Sequence, residues 1–115
     1  MKILNEKIEF DFFDAEQAEK LEKCIAIAEK ELKELKIEGK KQSEFIRDFC
    51  NIIETFFENV FGKACLEKIF KNKKNIDLCI SAFSDLITAR EEQEKKLIEK
   101  EKKIIGKMAE ISIKK

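Results

Sequence analysis

The sequence has 115 residues, which is the size of one small domain. Charged side chains make up 42% of the chain and their formal net charge is zero, which argues against a nucleic-acid-binding protein with an overall basic field. Histidine, Cys-x-x-Cys pairs and glycine-rich phosphate loops are all absent from the sequence. Since enzymes and metal proteins depend on such constellations, we expect no enzyme and no bound metal or cofactor.

The N-terminus runs straight into charged residues, and no run of 18 apolar residues occurs anywhere in the chain. We therefore expect neither a signal peptide nor a membrane-spanning segment. The sequence has four cysteines, and each lies on or near an apolar helical face: Cys24, Cys50, Cys65 and Cys79. With no export signal, we expect buried free thiols in a reducing cytoplasm.

Residues 1–13 are predicted to form a β-hairpin, because apolar and polar side chains alternate through this stretch. A turn at residues 5–7 would join a strand at residues 2–4 to a strand at residues 8–12. An isolated hairpin is only marginally stable in water, so this one should pack on helices. Phe10 and Phe12 are expected on its buried side, with Glu9 and Asp11 facing outward.

The first helix is predicted over residues 14–38. Asp14 and Gln17 fit a capping box at its start. Apolar residues then recur at alternating steps of three and four, which is an a/d seam suited to pairing with another helix: Ala18, Leu21, Ile25, Ala28, Leu32 and Leu35. Gly39 is expected to end the helix, and the short link that follows favours an antiparallel second helix.

The second helix is predicted over residues 43–61 and is expected to be the element on which the others pack. Ser43 is a suitable N-cap and Gly62 a suitable residue just past the C-terminus. Its apolar residues follow the i, i+3, i+4, i+7 pattern of a wide buried face. The stretch also contains five of the ten phenylalanines of the chain.

A short helix is predicted over residues 63–70 and a last helix over residues 76–103, with Asn75 as its N-cap. Residues 106–115 are assigned to a tail that is either disordered or bound to a partner. The predicted fold is thus mainly α, with residues 1–105 as one domain. A short N-terminal β-hairpin packs on a three- to four-helix bundle that has a long, partly exposed C-terminal helix.

Ten phenylalanines are a large number for so small a core. Two interpretations stay open: all of them are core, or some form an apolar patch for a partner. In each of the adjacent pairs Phe12–Phe13 and Phe56–Phe57 the two side chains point in different directions, so under the second interpretation one member of each pair is exposed or fills an oligomer interface. Six residues are candidates for partner binding: Phe13, Phe57, Phe61, Phe70, Leu97 and Ile98.

Residues 63–75 carry a local excess of lysine. The simplest interpretation is a solvated face. The alternative is a nucleic-acid contact made by a small regulatory or antitoxin-like module. No helix-turn-helix spacing supports that alternative, so a nucleic-acid partner is not expected.

Three stretches resemble a family of small proteins from the tail-gene modules of phages and prophages of low-GC Gram-positive bacteria. They are ILNEKIEFDFFDAEQAEKLEK at residues 3–23, SEFIRDFCNIIETFFENVFG at 43–62, and NIDLCISAFSDLI at 75–87. The shared features are the hairpin, a Phe-Asp-Ala-acidic helix start, a Phe-Phe-x-x-Val-Phe-Gly segment and an Asn-capped last helix. They occur in order over residues 3–98.

This family is similar in size and position to tail assembly chaperones. The resemblance implies a protein that binds the tape-measure protein through apolar helical surfaces in the cytoplasm of the bacterial host. It also implies self-association, since many copies would line one tape measure. The alternative is a structural component of the phage tail or head–tail region, and the regulatory module is the third hypothesis.

Overall fold

The computed structural model describes the backbone of residues 1–114 and the side chains of residues 1–113. Two short strands are followed by four helices: β1 (Lys2–Ile3), β2 (Glu6–Lys7), α1 (Ala15–Glu34), α2 (Gln42–Phe61), α3 (Lys63–Phe70) and α4 (Ile76–Lys114). The predicted fold class, mainly α with an N-terminal hairpin packed on helices, is confirmed. The molecule measures 71 × 27 × 21 Å, because α4 projects far beyond the other elements.

The hairpin is shorter than predicted, and its turn comes earlier. β1 pairs antiparallel with β2, so that Ile3 lies opposite Glu6. Leu4 and Asn5 form the turn with φ of 50° and 67°, and two positive φ values are typical of the tight turns that match strand twist. Pairing ends at Lys7. The predicted strand at residues 8–12 is therefore wrong, although Phe10 and Phe12 are partly buried against the core as expected.

Helix α1 begins after Asp14 as predicted, but the capping box is only half formed, because Gln17 accepts from the backbone N–H of Asp11 and not from that of Asp14. The Asp14 side chain accepts a hydrogen bond of 3.0 Å from the backbone N–H of Gln17. The Gln17 side chain accepts one from the backbone N–H of Asp11, so it also ties the incoming chain to the first turn. The helix ends at Glu34 rather than at residue 38, because Leu35 takes an extended backbone and its N–H caps the last carbonyls.

Helix α2 contacts each of the other three helices, as predicted for the central element. It starts at Gln42, so Lys41 holds the N-cap position without a side-chain hydrogen bond. The prediction of Ser43 as N-cap is therefore wrong, because Ser43 lies within the first turn. The buried face of α2 consists of Cys50, Ile53, Phe56, Phe57 and Val60.

Gly62 connects α3 to α2, and Lys74 connects the loop after α3 to α2. Gly62 joins the helices directly with φ 92° and ψ 167°, a conformation that side-chain-bearing residues rarely adopt. In the loop after α3, the Lys74 ammonium forms an ion pair with Glu54 and a 3.0 Å hydrogen bond with the Asn51 amide oxygen. Because both acceptors belong to α2, the loop leading into α4 is fastened to the central helix.

Helix α4 is longer than the sequence predicted. Asn75 caps it as expected, since its side chain accepts from the backbone N–H of Leu78 at 3.1 Å. The helix has 39 residues and runs through residues 104–114. For the described residues, the predicted end near residue 103 and the disordered alternative for the tail are thus wrong, whereas partner binding by this segment stays a prediction; residue 115 lies outside the described residues. A glycine inside a helix costs only about 1 kcal/mol, so Gly106 does not end α4.

Among residues 1–114, no helix is both long and apolar enough to cross a membrane. The core comprises residues from all the helices and from the hairpin region, and its last member is Leu86. Phe56 and Phe57 both belong to it. Beyond Leu86, the described part of α4 adds no fully buried residue, and the helix leaves the body near Leu97, where it borders Phe13.

Candidate partner-binding surface

Two of the six predicted partner-binding residues are core residues. Phe57 and Phe70 are fully buried, and their rings meet edge to face with centroids 5.4 Å apart. Because α3 folds back on α2, these rings fill the space between the two helices. They are unavailable to a partner in this conformation, and their assignment to a binding surface is corrected accordingly. Phe61 is partly buried, with its ring 5.3 Å from that of Phe10.

Phe13, Leu97 and Ile98 are exposed, each to roughly half of its side-chain surface. Phe13 and Leu97 line one cleft of about 190 Å³ at the point where α4 leaves the body. The Lys100 ammonium lies 5.3 Å from the centre of the Phe13 ring, a cation–π distance. The structure thus brings Phe13 and Leu97 together across 84 positions of sequence, and Ile98 lies next to Leu97 on α4. Their role in binding stays a prediction.

A shallow apolar groove runs between α1 and α4. Both helices pack on α2, and the space between them is lined by Ile25, Ala28 and Leu32 of α1 and by Phe83 of α4. Its volume is about 380 Å³. We call it the α1–α4 groove. The sequence predicts the α1 residues as an a/d seam but does not predict the groove. Periodicity along α1 does not identify which other helix packs against the seam.

The free half of α4 carries a row of exposed apolar side chains, which we call the α4 stripe: Leu97, Ile98, Ile104, Ile105, Met108 and Ile111. Leu97, Ile104 and Ile111 are seven residues apart, and stepping back by seven twice from Leu97 gives Phe83 at the groove. Residues seven apart lie on nearly the same side of a helix. The series is interrupted by Arg90 and drifts around α4 by about 20° per heptad, so the stripe starts beside the Phe13 cleft and is separate from the α1–α4 groove. The sequence analysis does not include the later stripe residues in a binding surface, because it ends the last helix at residue 103 and assigns residues 106–115 to a tail.

The cysteine thiols offer little chemistry. All four are free, and Cys50, Cys65 and Cys79 are buried. Burial raises the pKa of Cys65 to about 11, with a smaller opposing effect from Lys68. Burial also raises the pKa of Cys79, and a hydrogen bond with the Cys50 thiol adds to the effect. The Cys65 and Cys79 thiols therefore stay protonated at neutral pH, and a protonated thiol is a poor nucleophile.

The described residues contain no cluster of three or more groups able to hold a metal ion. Buried polar side chains are also absent from the core of residues 1–113. What this part of the chain offers a ligand is apolar surface on helices, bordered by charged residues. Such a surface suits the recognition of another helix.

One comparison identifies relatives of this chain. The model of a family of unknown function, DUF6673, matches residues 4–110. The chain belongs to this family. No curated protein matches the sequence, and no solved structure matches the fold. Since DUF6673 has no assigned function, the resemblance to tail assembly chaperones stays a prediction.

Proposed function

We propose that this DUF6673 protein is a phage tail assembly chaperone that binds a helical segment of the tape-measure protein in the α1–α4 groove. The observation that carries the proposal is the α1–α4 groove, which is apolar and lies between two helices that both pack on α2. The resemblance of residues 3–98 to small tail-module proteins supplies the identity of the client.

The groove has the features of a helix-binding site. Its floor consists of Ile25, Leu32 and Phe83, which are only partly covered by the rest of the chain. Its rim includes Glu29 and Lys33, whose charged groups lie 2.8 Å apart. Their mutual hydrogen bond lowers the pKa of Glu29 and raises that of Lys33, so both stay charged at neutral pH. An apolar floor with a charged rim is the usual arrangement at protein interfaces.

The client that fits is an amphipathic helix with apolar residues at i, i+3 or i+4, and i+7. Such a helix would complete a layer over α2 together with α1 and α4. Burying two or three large aliphatic side chains in the groove would contribute about 1.5–3 kcal/mol each before the costs of association. We therefore expect modest affinity per site and strong binding only when many copies cover one long client.

The proposal is tested by expressing the chain with the product of the largest open reading frame downstream of it, the position expected for a tape-measure protein, purifying through a tag and measuring the mass by light scattering. We expect a soluble complex with several copies per client. A client that stays insoluble beside a free chaperone would contradict the proposal. Finding the protein in purified virions by mass spectrometry would instead favour the structural tail component.

The site is tested with Leu32→Lys, which places a charge on the groove floor, and with Ile37→Lys as the matched control. Ile37 is exposed and lies outside the groove. We expect Leu32→Lys to lose the complex while Ile37→Lys retains it. Thermal unfolding of each variant alone shows whether the body is still folded. A folded Leu32→Lys variant that still captures the client would exclude the groove as the site.

A further inference from the structure

One border of the α4 stripe is a row of lysines. Four exposed lysines follow one another at steps of four, three and four residues, the spacing that keeps side chains on one side of a helix: Lys96, Lys100, Lys103 and Lys107. We call them the lysine row. Since each residue turns an α-helix by about 100°, Lys100 and Lys107 lie about 40° and 60° from Ile104, on the same flank. On this flank the stripe is therefore bordered by positive charge.

The lysine row restricts which helix can cover the stripe. In an antiparallel pair of two α4 helices the row would face the row of the other copy, and in a parallel pair it would face Ile98 and Ile105. The first arrangement sets like charges together and the second leaves the lysines without partners, so a second copy does not neutralise the row. Acidic side chains on a different helix would neutralise it.

We propose that the α4 stripe binds an amphipathic helix of another protein, with the lysine row facing a row of glutamate or aspartate residues on that helix. The apolar residues of the partner would cover the stripe, and its acidic residues at e or g positions of the heptad would set its orientation. Residues 95–113 contain six lysines and three glutamates, so the projecting part of α4 as a whole also attracts an acidic partner.

One residue within the stripe favours a helix over a lipid surface as the partner. Glu101 lies between Ile104 and Ile105 around the circumference of α4, about 60° from Ile104. A helix lying on a membrane would push this carboxylate into the hydrocarbon, where a charge is costly. A protein partner can place a lysine or arginine opposite Glu101 and form an ion pair.

The cleft beside Phe13 gives this surface a defined end. Leu97 forms part of the cleft wall, together with Phe12 and Phe13. The cleft has a volume of about 190 Å³, and a cavity of about 150 Å³ holds a benzene ring, so there is room for one aliphatic side chain. A helix bound along residues 97–113 would span about 25 Å and reach the cleft with one end. Because this pairing is short, we expect a dissociation constant in the micromolar range.

The first test measures binding of the full chain to two labelled helical peptides by fluorescence anisotropy. Both peptides are three heptads long with leucine at a and d, and they carry either glutamate or lysine at e and g. We expect the acidic peptide to bind with micromolar affinity that falls as salt rises, and the basic peptide to bind at least about tenfold more weakly. Equal affinities, or no binding of the acidic peptide, would overturn the proposal.

The second test locates the binding site on α4. Lys103→Glu combined with Lys107→Glu reverses part of the row, and should weaken binding of the acidic peptide at least about tenfold while strengthening binding of the basic peptide. Lys95→Glu combined with Lys102→Glu is the matched control, because it changes the net charge equally on the side of α4 opposite Ile104. Circular dichroism checks that both variants keep the helix. Equal effects of the two double substitutions would show attraction to overall charge and would refute the proposal.

Two further outcomes would also contradict it. Loss of acidic-peptide binding in Leu32→Lys would place the peptide in the α1–α4 groove rather than on the stripe. Cosedimentation of the chain with phosphatidylglycerol vesicles, without binding of the acidic peptide, would show that this surface recognises lipid. The tape-measure protein takes part in none of these measurements, so their outcome is independent of the proposed chaperone function.

Discussion

A carboxylate on α4 helps to hold the N-terminal hairpin, whose Ile3 side chain is also buried in the core. The backbone N–H of Leu4 donates a 2.9 Å hydrogen bond to Asp85 on α4. Leu4 has φ of 50°, which is unfavourable for a leucine, and Asn5 beside it is also in the positive-φ region. The Asp85 contact therefore holds a turn that would otherwise be strained, and it keeps the buried Ile3 side chain in the core.

Replacing this carboxylate should destabilise the fold measurably. We expect Asp85→Ala to lower the free energy of unfolding by about 1–3 kcal/mol, because the Leu4 N–H loses a charged acceptor. Chemical denaturation monitored by circular dichroism measures this change. Ser84→Ala is the control, an exposed neighbour expected to change stability by less than about 0.5 kcal/mol. Equal stabilities of the two variants would show that the hairpin does not depend on Asp85.

Helix α4 behaves as two segments with different sources of stability. Up to Leu86 it is held by packing on the body. From residue 98 onward its side chains are exposed, so its helicity depends on intrinsic propensity and on pairs of glutamate and lysine at helical spacing. Gly106 is the weakest position in this second segment, since glycine is the least favourable residue in a helix interior after proline.

Replacing Gly106 should strengthen the second segment. A Cβ added at Gly106 meets no atom within 4 Å, so Gly106→Ala is sterically free. We expect about 1 kcal/mol of local stabilisation and slower amide hydrogen exchange in residues 100–113. Ala109→Gly is the reverse substitution in the same segment and should accelerate exchange. If the amide hydrogens of residues 100–113 exchange at the wild-type rate in both variants, this part of α4 is not a marginally stable helix.

The whole molecule consists of a folded body and a projecting helix that share one continuous element. The buried core residues of the described chain lie between Ile3 and Leu86, and α4 beyond Leu86 contributes roughly 40 Å of helix to the 71 Å length of the molecule. The body should therefore fold without the projection. The projection in turn leaves the apolar side chains of the α4 stripe exposed for contacts with other molecules.

Truncation tests this division. Removing residues 101–115 keeps the Lys100 contact with Phe13 and should leave the thermal midpoint within a few degrees of the wild type. Measurement at low protein concentration excludes stabilisation by self-association. Truncation before Leu86 is the control and should abolish cooperative unfolding, because it removes core residues. A large loss of stability in the first truncation would show that the body depends on the projection.

Local signals in the sequence were sufficient for the helix starts at Asp14 and Asn75, since a side-chain cap involves residues only three positions away. Helix ends were predicted less well. The end of α1 was placed four residues late and that of α4 at least eleven residues early. Ends depend on a balance of small propensities and on tertiary contacts that no single residue marks.

The sequence by itself determined the fold class, the central place of α2 and the apolar face of each helix, because these follow from periodicity along the chain. Only the tertiary structure decided that Phe57 and Phe70 are buried while Phe13 is exposed. It also decided that the α1 seam and Phe83 border an open groove. Periodicity shows which side of a helix is apolar, but the arrangement of the other helices decides whether that side is covered.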